Sequence, residues 1–129
     1  MEKTKEYTIP AATRIGHVHL KVSNLQKSLD FYVGLLGFEI TQRYGTDAVF
    51  ISAGGYHHHI GLNTWHSKNA PPAPKNSVGL YHTAILYPTR KDLAIIFDRL
   101  CLYTILVPSY HAVSRSRPEL LQLLTAIAL

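Results

Sequence analysis

The chain has 129 residues, 47% of them hydrophobic, enough for one compact domain with its own core and too few for two ordinary ones. Its net charge of +5 comes from lysines and arginines scattered from Lys3 to Arg117, without a basic run or aromatic-basic interleaving, so a nucleic-acid partner is not expected. The single cysteine, Cys101, excludes an intrachain disulfide and a thiolate cage, no run of about 18 apolar residues offers a membrane span, and the polar N-terminus lacks a signal-peptide core; a cytoplasmic protein is expected, any metal being held by histidine and carboxylate.

Residues 15–22 alternate, with Val18, Leu20 and Val22 on one side and His17, His19 and Lys21 on the other, which predicts a strand with one apolar and one polar face. Ser23, with Gln26 three residues on, predicts a capped helix; Leu25, Leu29, Tyr32 and Leu36 give it an apolar stripe, and Gly37 its left-handed end. Phe38–Tyr44, Ala48–Ala53 and His57–Trp65 read as three strands joined by turns at Gly45-Thr46-Asp47 and Gly54-Gly55-Tyr56. Residues 13–65 therefore form a βαβββ module. Pro71, Pro72 and Pro74 make 66–78 a linker. The first pattern then returns: Leu80–Tyr87 is a strand carrying His82, and Thr89 with Asp92 caps a helix whose stripe is Leu93, Ile96 and Leu100. Residues 79–100 thus begin a second module of an α+β fold, as an internal repeat.

Eight histidines stand at 17, 19, 57, 58, 59, 66, 82 and 111. A lone histidine on a strand is ordinarily a surface or hydrogen-bonded residue. A pair at equivalent points of a repeat is harder to attribute to chance, and His17 and His82 are the expected metal ligands, each on rigid sheet backbone. His19 shares the face of His17 and is expected to support the ligand or touch substrate. In the run 57–59, Ile60 and Leu62 mark the helix-packed face, which leaves His57, His59, Gly61 and Asn63 on the face of His17. His59 is the residue expected to point at the metal or its ligand; a solvated hairpin rim is the alternative. His66 and His111 are treated as ordinary.

The segment from His17 through Leu25, then Ser28 to Tyr32 and Leu36-Gly37-Phe38, resembles the first module of the vicinal-oxygen-chelate superfamily, which comprises glyoxalases, bleomycin-resistance proteins and extradiol dioxygenases. The run from Ser52 to Trp65, followed by Gly79-Leu80-Tyr81-His82, is more specifically similar to bacillary catechol 2,3-dioxygenase-like proteins, and the resemblance extends over residues 14–100. It implies two βαβββ modules cupped around one divalent metal, with His17 and His82 as ligands and a carboxylate on the last strand of the second module. Fe(II) is the implied metal, with Mn(II), Ni(II) and Zn(II) as alternatives. The implied chemistry is chelation of adjacent substrate oxygens and extradiol cleavage of an aromatic diol. His59 would be the acid-base residue, with His19 and Asn63 shaping the substrate pocket. A glyoxalase-like lyase or isomerase and a metal-free ligand-binding resistance protein are the alternative functions.

The resemblance breaks after Leu100. Residues 101–129 contain no Gly, Asp or Asn for hairpin turns, and their only carboxylate, Glu119, stands in Pro118–Leu124, which reads as helix. Leu123–Leu129 can be encoded so that a shifted frame reads Pro-Asp-Gly-Asn-Arg-Ile, similar to the segment that precedes the family's ligand glutamate. The tail 101–129 is accordingly read as divergent and frameshifted, a genuine variant with a helical tail being the alternative. Loss of three strands would bare the edge of the strand at 79–87, so a homodimer acting on a small-molecule substrate is expected, with reduced activity.

Overall fold

The computed structural model describes residues 6–74, 77–80, 83–106 and 122–125. The first half contains β1 (Val18–Lys21), α1 (Leu25–Leu29) continuing as wider π-helical turns over Asp30–Leu35, β2 (Glu39–Tyr44), β3 (Ala48–Ser52) and β4 (Ile60–Asn63). The four strands form one sheet in the order β1-β4-β3-β2, with β4 parallel to β1 and antiparallel to β3. This is the expected βαβββ arrangement within an α+β fold.

Alternation decides which side of the sheet is covered. Leu20 of β1, Val49 and Ile51 of β3, and Ile60 and Leu62 of β4 turn toward the helix, where they meet Leu29, Phe31, Tyr32 and Leu35 in one buried cluster. The opposite face carries His19, Lys21, Phe50, Gly61 and Asn63, read from the same registers. Parallel pairing sets His19 beside Gly61 and Lys21 beside Asn63.

The helix starts and ends differently in detail from the sequence expectation. Asn24 rather than Ser23 is the N-cap: its side chain accepts from the Lys27 backbone N–H at 3.0 Å. Gln26, expected to complete a capping box with Ser23, instead donates to Asp30 Oδ1 at 2.7 Å, one turn along the helix. After Leu29 the turns widen, shown by the Leu36 N–H donating to the Phe31 carbonyl five residues back at 2.9 Å. This changes the phase of the apolar stripe, so Phe31 and Leu35 are buried more deeply than Leu36. Gly37 has a φ of 85°, the left-handed conformation expected of it.

The second half contains β5 (Thr83–Leu86), α2 (Arg90–Leu106) and β6 (Gln122–Thr125). Thr89 Oγ1 accepts from the Asp92 backbone N–H at 3.1 Å and donates to Asp92 Oδ2 at 2.6 Å, closing the expected N-terminal cap. Ile96 and Leu100 join the core of the first half, with Leu93 packed against it. Arg99 adds a polar tie, donating to the carbonyls of Leu35 and Gly34 at 3.0 and 2.9 Å, which the end of the first helix leaves free.

Two expectations about the tail are corrected. Residues 122–124, read as helix, lie in a strand, and that strand pairs antiparallel with β5 from Thr83↔Thr125 to Leu86↔Gln122. The edge expected to be bare is therefore covered on one side. A leucine-rich segment satisfies helix propensity in isolation, but an unpaired strand offers a whole ladder of hydrogen bonds, and the ladder wins. Residues 107–121, including Glu119 and His111, lie outside the described residues. At the far end of the first sheet the single tryptophan, Trp65, is half exposed and lies edge-on to Tyr44 with ring centroids 6.5 Å apart.

The core makes a direct prediction. Ile51, which has 0% exposure, should cost about 2–5 kcal/mol when changed to Ala. Ile95→Ala, on the exposed side of α2, should stay within about 0.5 kcal/mol of the parent. Urea unfolding of the two variants checks the contrast.

Candidate metal centre

The site begins with a strand of alternating side chains. His17 and His19 are two residues apart on and just before β1, so both leave the same face, away from the apolar core. The ring of His19 lies over β4: a Cβ built at Gly61 would stand 2.9 Å from its Cε1 and Nε2 atoms. The bare backbone of glycine makes room there for an imidazole, which any larger residue would displace, and which also packs against Phe50 with centroids 5.7 Å apart.

The third ring comes from the loop before β4. The sequence reading placed all of His57–His59 in the strand, but β4 begins at Ile60, and the loop is fixed by other means. Thr41, at an irregularity in the β2–β3 register, donates its hydroxyl to the His57 carbonyl at 2.7 Å, with the Phe50 carbonyl at 3.2 Å. His59 folds back on the end of β3: its Nδ1 lies 2.9 Å from Ser52 Oγ and accepts from the Ala53 backbone N–H at 3.3 Å. A backbone N–H can only donate, so Nδ1 is the acceptor and the neutral ring carries its proton on Nε2. His58, held between these ties, projects to His17 and His19.

One ring nitrogen from each of His17, His19 and His58 lies within 4.8 Å of the others. The rings are tilted rather than stacked, at 57° for His17 and His19, 45° for His17 and His58, and 70° for His19 and His58. His17 and His19 are exposed and His58 half-buried, so a metal held there has an open side. The donor set fits the divalent metal that the sequence implies: three imidazoles are a common first shell for a catalytic ion with one or more positions left for solvent or substrate.

Of the residues expected at the site, His17 and His19 come together, and His59 lies alongside in the supporting loop with its Nδ1 engaged. Asn63 is buried on β4, two residues beyond Gly61; its Nδ2 donates to the Leu20 carbonyl at 3.5 Å, and its Oδ1 has no hydrogen-bond partner among the described residues. No contact joins Asn63 to the three rings among those described. His82 lies outside the described residues, and His66 is exposed. The residue that sequence reasoning missed is His58. Its signal was available in combination: a glycine facing His19 leaves a hollow, and the loop residue above that hollow needs no strand register to reach it.

Electrostatics favour a neutral His58. His58 has its pKa lowered from the ordinary 6.5, chiefly by desolvation and then by the positive potential of His17, His57, His19 and His59. A neutral imidazole is the form that donates to a metal.

Comparisons with known proteins bear on these residues. The Glyoxalase/Bleomycin resistance protein/Dioxygenase superfamily model matches residues 14–101. A protein of Bacillus subtilis (strain 168) named Catechol-2,3-dioxygenase is 45% identical over 97 residues, which is 74% of this chain and 34% of that protein. The chain thus spans about a third of the length of the curated relative it matches. No solved structure gives a significant match. Among the described residues, no helix is long and apolar enough to cross a membrane.

Two predictions follow from the loop and its charge. Thr41→Val keeps the shape but removes the hydroxyl that holds the His57 carbonyl; it should cost about 0.5–1.5 kcal/mol in urea unfolding. The lowered pKa of His58 means that the unfolded chain binds its proton first as pH falls below 6.5, so this residue contributes a loss of stability on the acid side and none above it. His58→Gln should reduce the fall in urea midpoint between neutral and acid pH; an identical fall in parent and variant would remove His58 as a cause.

Proposed function

This chain belongs to the glyoxalase/bleomycin resistance protein/dioxygenase superfamily, and from that membership we propose that it is an extradiol dioxygenase-like domain that uses Fe(II) to act on an aromatic diol. The observation that carries the reading is the 45% identity over 97 residues to a protein named Catechol-2,3-dioxygenase. The exposed histidine cluster supports it, because such chemistry needs a metal with open positions beside a substrate-accessible face.

When bound, the metal would supply Lewis-acid chelation of two adjacent substrate oxygens. His17 is the ligand proposed from the first module and His82, by family resemblance, the one from the second. His19 stands beside His17 and borders the space into which a planar diol would enter, with Phe50 offering an apolar wall behind it. His59 is assigned proton transfer through Nε2, since its Nδ1 is held by Ser52 and Ala53. Asn63 would polarise the floor of the same face through its unpartnered Oδ1. Assembly as a homodimer is proposed with this function, because Leu86, Ile95, Phe97 and Leu102 are exposed apolar side chains.

A glyoxalase-like reading has one observation in its favour, an all-imidazole donor set that suits Zn(II) and Ni(II) as well as Fe(II). Chain loaded anaerobically with Fe(II) should consume oxygen when given catechol, and His59→Gln should lower that rate while leaving metal content unchanged. Absence of oxygen uptake, together with thiohemiacetal turnover by the Ni(II)- or Zn(II)-loaded chain, would replace the dioxygenase reading with the glyoxalase one.

A further inference from the structure

We propose that the first module binds a divalent transition metal by itself, through the three imidazoles of His17, His19 and His58, with Gly61 as the residue that positions His19. The proposal shares with the dioxygenase reading the divalent metal, His17 and the histidine cluster, but takes its other two ligands from His19 and His58 in place of His82, so it stands or falls by metal binding whether or not the chain turns over a diol.

The distances favour ligation over mutual hydrogen bonding. His19 Nε2 and His58 Nε2 are 3.4 Å apart, beyond the ~2.7–3.2 Å usual for a hydrogen bond donated by N–H. Two nitrogens sharing a tetrahedral ion at ~2.0–2.1 Å each are separated by ~3.3 Å. The third nitrogen, on His17, lies within the same 4.8 Å envelope. A solvated cluster of exposed histidines would gain by spreading apart. Here two separate devices hold the rings together: the hollow over Gly61 receives the His19 ring, and the ties from Thr41 and His59 fix the loop that carries His58.

Three neutral donors leave the full double charge of the ion uncompensated. The open positions therefore favour anionic oxygen, either a hydroxide or a bidentate oxyanion such as an enolate, hydroxamate or catecholate. Borderline ions that accept imidazole, Zn(II), Co(II) and Ni(II) among them, fit the set better than Mg(II) or Ca(II), which prefer oxygen donors.

The test is titration of the full chain with Co(II), followed by its visible absorption, with Zn(II) as competitor. His17→Gln weakens binding on any account and does not discriminate. His58→Gln alters an exposed loop and leaves the core intact, and it should abolish the Co(II) spectrum; His19→Gln should do the same. Gly61→Ala removes no donor atom, yet its Cβ would stand 2.9 Å from His19 Nε2, and it should lower affinity by about 10–100-fold by displacing the His19 ring. His82→Gln should leave affinity within about twofold, less than the loss expected even of an outer-shell change. Loss of Co(II) binding in the His82 variant with retention in the His58 variant would overturn the proposal, as would a parent chain whose Co(II) spectrum is that of the free ion. Because every readout is binding, a dead dioxygenase with intact Co(II) affinity would reject the proposed activity and leave this site standing.

Discussion

The parallel register between β1 and β4 is the constraint on which the rest of the molecule depends. It aligns Val18 and Leu20 with Ile60 and Leu62 on the helix side, and the same alignment sets His19 against Gly61 on the other. A slip of one residue would carry the histidines into the apolar core and the core residues into water. Burial of the β3 and β4 side chains therefore specifies the histidine-bearing surface as firmly as it specifies the core. The chemistry on the open face is fixed by hydrophobic contacts on the closed one.

The polar residues around the cluster have separate tasks that follow from where their hydrogen bonds go. Thr41 sits where the β2–β3 ladder is irregular, so its hydroxyl is free to reach across to the neighbouring loop. His59 spends its Nδ1 on Ser52 and Ala53, which shapes the turn after β3 and leaves the adjacent His58 to face outward. Backbone bonds from His59 N–H to the Ile51 carbonyl and from Val18 N–H to the His59 carbonyl fasten the loop to the strands on both sides. A histidine run of uniform appearance thus contains one residue that builds the loop and one that uses it.

Much of the fold was legible because burial and capping write themselves into short patterns. Alternation at Val18, Leu20 and Val22, the glycine at the end of the first helix, and the Thr89–Asp92 pair all appear where expected. His17 and His19 were legible on the same ground, since a strand sends them to one face. The position of His58 was not, because period-two reasoning applies only where the chain is extended, and 57–59 precede the strand. The choice of Asn24 over Ser23 as cap turned on which side chain meets the Lys27 N–H, and both residues have the right chemistry. The π-helical widening left no mark in a stripe whose spacing also suits an α-helix. The pairing of β6 was hidden for a different reason: leucine is a good helix former, and only a partner strand distant in sequence makes it a strand.

The placement of Trp65 has an optical consequence. It is the sole indole in the chain and stands just past β4, in partial contact with water and edge-on to a tyrosine of β2. Its emission therefore samples the first sheet, while α2 and the β5–β6 pair contribute to circular dichroism without any tryptophan of their own. The indole thus reports the first half, and circular dichroism both halves. Where their denaturation profiles coincide, the halves melt as one cooperative unit, and where they separate, the indole reports the βαβββ module alone.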